Sequence, residues 1–177
     1  MWHTIPFGVH AHPVGGSMAN TLDDVVSGAL GVLDEFGLEF CSMRRVAGSL
    51  GVQPSALYHH VANKQTLLSL MAARIVADVE VSDDVAGSLH QLRAAMLAVR
   101  DGAEVVATAS AFRLEVSTFE EALAERVGLD LARTLLIYVV GHTQSTQLHR
   151  QAAAVGAIAL DPDLDGSFAR GLALILR

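Results

Sequence analysis

Ser42 to Lys64 reads S-M-R-R-V-A-G-S-L-G-V-Q-P-S-A-L-Y-H-H-V-A-N-K, and two short helical patterns meet within it at Gly51. Ser42 is a residue type that caps a helix. Met43, Val46, Ala47 and Leu50 then recur on one face, leaving Arg44 and Arg45 on the other. Gly51 and Val52 supply a turn. Pro54 suits a first helical residue, where its missing N–H would have no partner, so the spacing predicts a second helix over Pro54–His60. A small residue at the crossing (Ala47), a turn glycine (Gly51) and apolar residues beneath the turn (Leu50, Val52, Leu57) make the pair a helix-turn-helix.

Charge sets this stretch apart from the rest of the chain. No Asp or Glu falls between Phe40 and Ala77, and Arg44, Arg45, Lys64 and Arg74 give that window +4, which leaves −11 on the remainder of a chain whose net charge is −7. A cationic island on an acidic body suits a protein that presents one end to a polyanion.

Working outward, Thr21 with Asp24 reads as an N-cap with an acid at the third helical position. Leu22, Val25, Val26, Ala29, Leu30, Leu33 and Phe36 follow at helical spacing, with Val26, Leu30 and Leu33 on the inner face and Gly37 as the stop. Residues 1–20 have no helical period and read as a loosely ordered tail; its His3, His10 and His12 lack the carboxylate or thiolate partners of a metal site. Asn63 caps a further helix extending to Val79. Ser82–Gly87 is a composition break, followed by helical segments at Ser88–Arg100, Gly102–Ala111, Ser117–Arg126 (with a Ser117/Glu120 capping box) and Leu129–Gln151. Asp161, Pro162, Asp163, Asp165 and Gly166 read as an acidic turn before a last helix over Ser167–Arg177.

The fold expected is therefore all-α: a tail (1–20), a three-helix helix-turn-helix unit (21–66) and a helical body (67–177). The 51% hydrophobic content carried by Ala, Leu and Val, with 5% aromatics and four prolines, agrees with it. One cysteine, Cys41, excludes an internal disulfide, and no apolar run reaches the ~18–20 residues that cross a bilayer. A cytosolic protein with no resident cofactor is expected.

Ser42–Lys64, preceded by L-D-E-F-G-L-E at Leu33–Glu39, resembles the DNA-binding domain of the TetR family of transcriptional repressors over about Thr21–Val79. R-D-G-A-E-V-V at Arg100–Val106 and Y-V-V-G-H-T at Tyr138–Thr143 are similar to stretches in the effector domain of its tetracycline-responsive members. His142 matches a drug-contacting position there. Val106, Glu80 and Arg150 replace a metal-ligating imidazole, a second histidine and an acidic metal-shell residue, so the resemblance implies the same scaffold with a metal-free, largely apolar effector. It also implies a homodimer on a palindromic operator.

In a helix-turn-helix the second helix of the pair enters the major groove, and flanking side chains hold phosphates. Arg44 is the candidate for a bidentate guanine contact; Gln53, Ser55 and Ala56 stand where short side chains meet base edges. Ser42, Arg45, Tyr58, His59, His60 and Lys64 complete the DNA-contacting set, with Tyr58 also readable as a core aromatic whose hydroxyl faces out and His60 equally readable as a packing residue. Arg100, Val105, Val106, Phe112, Phe119, Tyr138 and His142 are the effector-pocket candidates, Arg100 as polar anchor. Leu129–Gln151 and Ser167–Arg177, with Gly141, Ala169, Gly171 and Ala173 allowing close approach, are the candidate dimer helices. Two rivals remain: an enzyme using His142 with Glu115 or Asp130, which no nucleophile elbow, phosphate loop or metal cluster supports, and a protein-interaction domain with a degenerate helix-turn-helix, which the acid-free window disfavours.

Overall fold

The structure is a computed structural model that describes residues 21–111 and 117–177. Every regular element among these residues is a helix. α1 (Leu22–Phe36) opens on a reciprocal cap: Asp24 N donates to Thr21 Oγ1 (3.1 Å) and Thr21 N donates to the Asp24 carboxylate (2.7 Å). That pairing satisfies amide groups the helix itself cannot. The inner face buries Val25, Val26, Ala29, Val32 and Leu33; Leu30, expected there, is only half-buried.

α2 (Met43–Ser49) is capped by Ser42, whose Oγ accepts from Arg45 N at 3.3 Å. Gly51 then turns the chain at φ +68°, a region few residues with a Cβ adopt. α3 is shorter than the expected Pro54–His60 and closes at Leu57. His59 N and His60 N donate to carbonyls three residues back, at 3.3 and 2.9 Å, which tightens the last turn out of α geometry.

α4 (Lys64–Val76) begins where Asn63 accepts from Thr66 N at 2.9 Å. It ends before the expected Val79, because Ala77 N and Val79 N also turn to carbonyls three residues back. α5 (Val85–Leu97) starts three residues earlier than expected, since Asp84 caps it by accepting from Gly87 N at 2.9 Å. α6 (Gly102–Ala111) and α7 (Ser117–Val127) lie close to the expected segments, and α8 (Leu129–Ala154) runs three residues further. α9 (Leu164–Ile175) begins inside the expected acidic turn, so Asp165 and Gly166 form its first turn, where the helix dipole favours an acid. The tail at 1–20 and the Ser117 side chain that would form a capping box lie outside the described residues.

α2 packs on α1 and α3, and α1 packs on α4. α4 in turn packs on both α1 and α6, and α8 packs on α5, α6, α7 and α9. The expected division between residues 66 and 67 therefore falls within a helix shared by head and body. No described helix is long and apolar enough to cross a membrane.

Candidate nucleic-acid interface

The head's core is Val25, Ala29 and Leu33 against Val46, Ala47, Leu57 and Val61, which fixes α2 and α3 and turns their remaining side chains outward. Cys41 belongs to this core, and burial pushes its thiol up against the opposing influence of Lys64 and Arg45. The group stays an inert thiol. Arg44, Gln53, Ser55, His59, His60 and Lys64 are exposed. Tyr58 is 55% exposed, so the packing reading of Tyr58 and of His60 is corrected: neither ring has a place in the core.

The polar groups on this surface differ in what they already do. Ser42 spends an acceptor on its cap, leaving its O–H as a donor. Gln53 occupies the N-cap position of α3 without a side-chain cap bond, so its amide is uncommitted. Arg45 lies over the rings of Phe36 (4.4 Å) and Phe40 (5.6 Å), a stacking that uses the guanidinium face and fixes where its in-plane N–H groups point. Ala56 is half-buried.

Arg74, Arg93, Arg126, Arg133, Arg150 and Arg170 each pair with a carboxylate, whereas among the described residues Arg44, Arg45 and Lys64 have none. Arg100 and Arg177 also lack a carboxylate, but Arg100 is committed to the carbonyls of Asp34 and Glu35, so the exposed, unpaired cations of the head are Arg44 and Arg45 on α2 and Lys64 at the start of α4.

The expected effector residues do not form one cluster. Val105, Val106 and Phe119 are buried in the body's core, and Phe112 lies outside the described residues. Arg100, expected as a pocket anchor, is instead spent on α1: its Nη1 donates to the carbonyls of Asp34 (3.0 Å) and Glu35 (2.9 Å).

Tyr138 and His142 do come together, with ring centroids 5.6 Å apart. Both rings gather around Phe168, at 5.6 and 5.3 Å, and His90 meets it edge-on at 5.1 Å. The Tyr138 hydroxyl donates to Phe168 O at 2.9 Å. Arg93, only 7% exposed, stands over the Phe168 ring at 4.7 Å and pairs with Asp165 at 2.8 Å. The Arg93 guanidinium beside Asp165 holds that carboxyl below its usual range.

Sequence reasoning missed Arg93, His90 and the central place of Phe168 in this group. A signal for Arg93 exists: it follows Leu89 by four residues on the stripe completed by Leu92 and Met96, the buried face of α5.

His142 is held below its ordinary value of 6.5, first by burial and then by Arg93, with Asp165 opposing. The unfolded chain thus binds the proton more readily. His142's contribution to stability is complete above about pH 6.5 and is lost as pH falls through the folded value. Thermal melts from about pH 7.5 to about pH 5 are expected to show a falling Tm, with a shallower slope in His142→Gln; identical slopes would remove His142 from the titration.

No protein-family model matches the chain. The tetracycline repressor of class E from Escherichia coli is 47% identical over 57 residues, which is 32% of this chain and 27% of that one. The chain spans less than half the length of the curated relatives it matches, 27% and 42% for the first two. BioQ of Mycobacterium smegmatis is similar throughout, with 32% identity and a TM-score of 0.79 over 89% of this chain and 96% of BioQ. The chain belongs to the TetR family of transcriptional regulators. Within the TetR family, a structure of a BioQ with its natural double-stranded DNA operator matches at 30% identity and a TM-score of 0.77, over 89% of this chain and 96% of the other. A variant of TetR from Acinetobacter baumannii, solved in complex with minocycline, matches at 26% identity and a TM-score of 0.65, over 87% and 93%. The all-α architecture expected from the helix-turn-helix is thus that of the TetR family.

Proposed function

We propose that this TetR-family chain is a homodimeric DNA-binding regulator, a repressor that a small-molecule effector releases from a palindromic operator. One observation carries the DNA reading: Arg44 and Arg45 on α2 and Lys64 at the start of α4 are exposed and unpaired, in a stretch without a single carboxylate from Cys41 to Ala77. Residues 21–66 form the reading unit. Arg44, Gln53, Ser55 and Ala56 address base edges, and Ser42, Arg45, Tyr58, His59, His60 and Lys64 address the backbone. BioQ on its operator supports this use of the fold.

Residues 67–177 form the ligand-binding and dimerisation unit. α8 carries two faces, one buried through Ala132, Leu135, Val139 and Thr143, and a second on which Ile137 (75%), Gly141 and Leu148 (56%) are exposed. α9 adds Ala169, Ala173 and Leu174, the last 61% exposed. An apolar second face of this kind is what a second copy covers. Gly171, by contrast, makes room for the Tyr138 ring of the same chain. Ile137→Asp is expected to convert a dimer to monomers in sedimentation velocity and to abolish protection of two half-sites together; a monomeric wild-type chain would sink the dimer.

The effector is taken within the body as a largely apolar, metal-free molecule, with Tyr138 and His142 the polar groups nearest to hand. The minocycline complex of the Acinetobacter relative supports a ligand in this fold. Release requires the effector to bind the DNA-incompetent arrangement more tightly, by several kcal/mol to empty an operator.

A further inference from the structure

α1 has no basic residue in its last turn, so its C-terminal carbonyls lack a local partner. That partner comes from 66 and 65 residues away: Arg100 donates to Asp34 O and Glu35 O. Next to it, the Asp101 carboxylate accepts from Leu38 N at 2.9 Å, so two consecutive side chains grip the end of α1 and the loop beyond it. Gly37 passes between them, where a Cβ would stand 3.1 Å from the Asp101 carboxylate and 3.2 Å from the Arg100 guanidinium.

The corner that carries this grip is itself held from the body. Gln151 of α8 donates to the other Asp101 oxygen at 2.6 Å. One turn earlier, Gln147 donates to Met96 O (3.1 Å) and Val99 O (2.8 Å) and accepts from Ala103 N (3.0 Å), joining the end of α5 to the start of α6. Asp101 has φ +55°, the one non-glycine residue with a positive φ among those described. Glycine is the unstrained choice for such a turn, so the carboxylate is retained at a conformational cost. Beside the corner, a cleft of about 590 Å³ opens between the α1–α2 loop and α6 and α8, with Asp101 and Gln151 in its wall.

We infer that Arg100 and Asp101 are positioning residues that set the orientation of the reading head relative to α8, and through it the spacing of the two heads in a dimer. α4 alone is a single helix about which the head can rotate; a second anchor at the far end of α1 removes that freedom. Because α8 is also the proposed dimer helix, Gln147 and Gln151 tie the head's orientation to the dimer axis. This rests on the DNA-reading head proposed above.

The test separates orientation from stability and from DNA binding. Spin labels at Gly48→Cys on α2 and Glu125→Cys on α7, in a Cys41→Ala background diluted into unlabelled chain, report the head-to-body distance without DNA. Asp101→Gly removes the carboxylate while suiting the positive φ, Arg100→Ala removes the other grip, and Gln151→Ala alters only an exposed side chain should the first two fail to fold. The expected result is a single narrow distance distribution in the parent and a broadened one in each variant. With palindromes of varied half-site spacing, the variants should lose about tenfold on the best spacing, within the usual range of site-to-site coupling, and keep their affinity for an isolated half-site. Unchanged distance distributions overturn the inference, as does an equal loss on palindrome and half-site. Broadened distributions in variants of a parent that binds no operator would leave the positioning role intact and sink the DNA reading instead.

Discussion

Phe168→Ala is expected to lower the unfolding free energy by about 3–5 kcal/mol, the range for truncating a buried aromatic. Phe168 is fully buried, stacked on Tyr138 at 16° between ring planes, edged by His90 and His142, and covered by the Arg93 guanidinium. Truncation removes its burial, leaves a cavity among four neighbours and takes away the ring that sits against a nearly buried charge. The body rather than the head carries the damage, because Phe168 joins α9 to α5 and α8. Urea unfolding at fixed chain concentration measures it. A loss below about 1 kcal/mol would mean that the cluster collapses onto the gap.

Arg44→Ala is the second large effect, and it falls on recognition rather than stability. Arg44 is exposed and without an ion-pair partner among the described residues, so its removal costs the fold little. On the operator it should cost about 1–3 kcal/mol and relax the preference at a single base position. Lys64→Ala serves as the contrast, because a phosphate contact weakens all sequences alike and lowers the salt slope by about one unit. Titrating both variants against operators altered one base at a time separates the roles; equal weakening of Arg44→Ala on cognate and random DNA would withdraw Arg44 from base reading.

What was legible in the sequence was local. Thr21, Ser42 and Asn63 announce helix starts because each cap is satisfied within three residues, and all three form as expected. The charge pattern was legible too, since an acid-free window needs no tertiary knowledge. α3 and α4 came out shorter because the choice between α and tighter hydrogen bonding at a helix end is a small energetic difference that residue type does not decide.

The misplaced residues depend on distant partners. Arg100 read as a pocket anchor because nothing near it in the chain shows that the carbonyls of Asp34 and Glu35 will be its acceptors. Gln147 and Gln151 carry no sequence reading beyond their place in the helix expected over Leu129–Gln151. Their spacing continues the inner stripe of Leu135, Val139 and Thr143, which was the available sign that their amides face the body.

The DNA reading is tested most directly by fluorescence anisotropy of the chain with duplex DNA from upstream of its own coding sequence and with a shuffled duplex of equal composition, at about 50 mM and about 200 mM salt. The unpaired cations of α2 and of the start of α4 predict that both complexes weaken with salt and that the upstream duplex is held at least about 10³-fold more tightly than the shuffled one. Equal affinity for the two duplexes, or no salt-dependent binding to either, would contradict it.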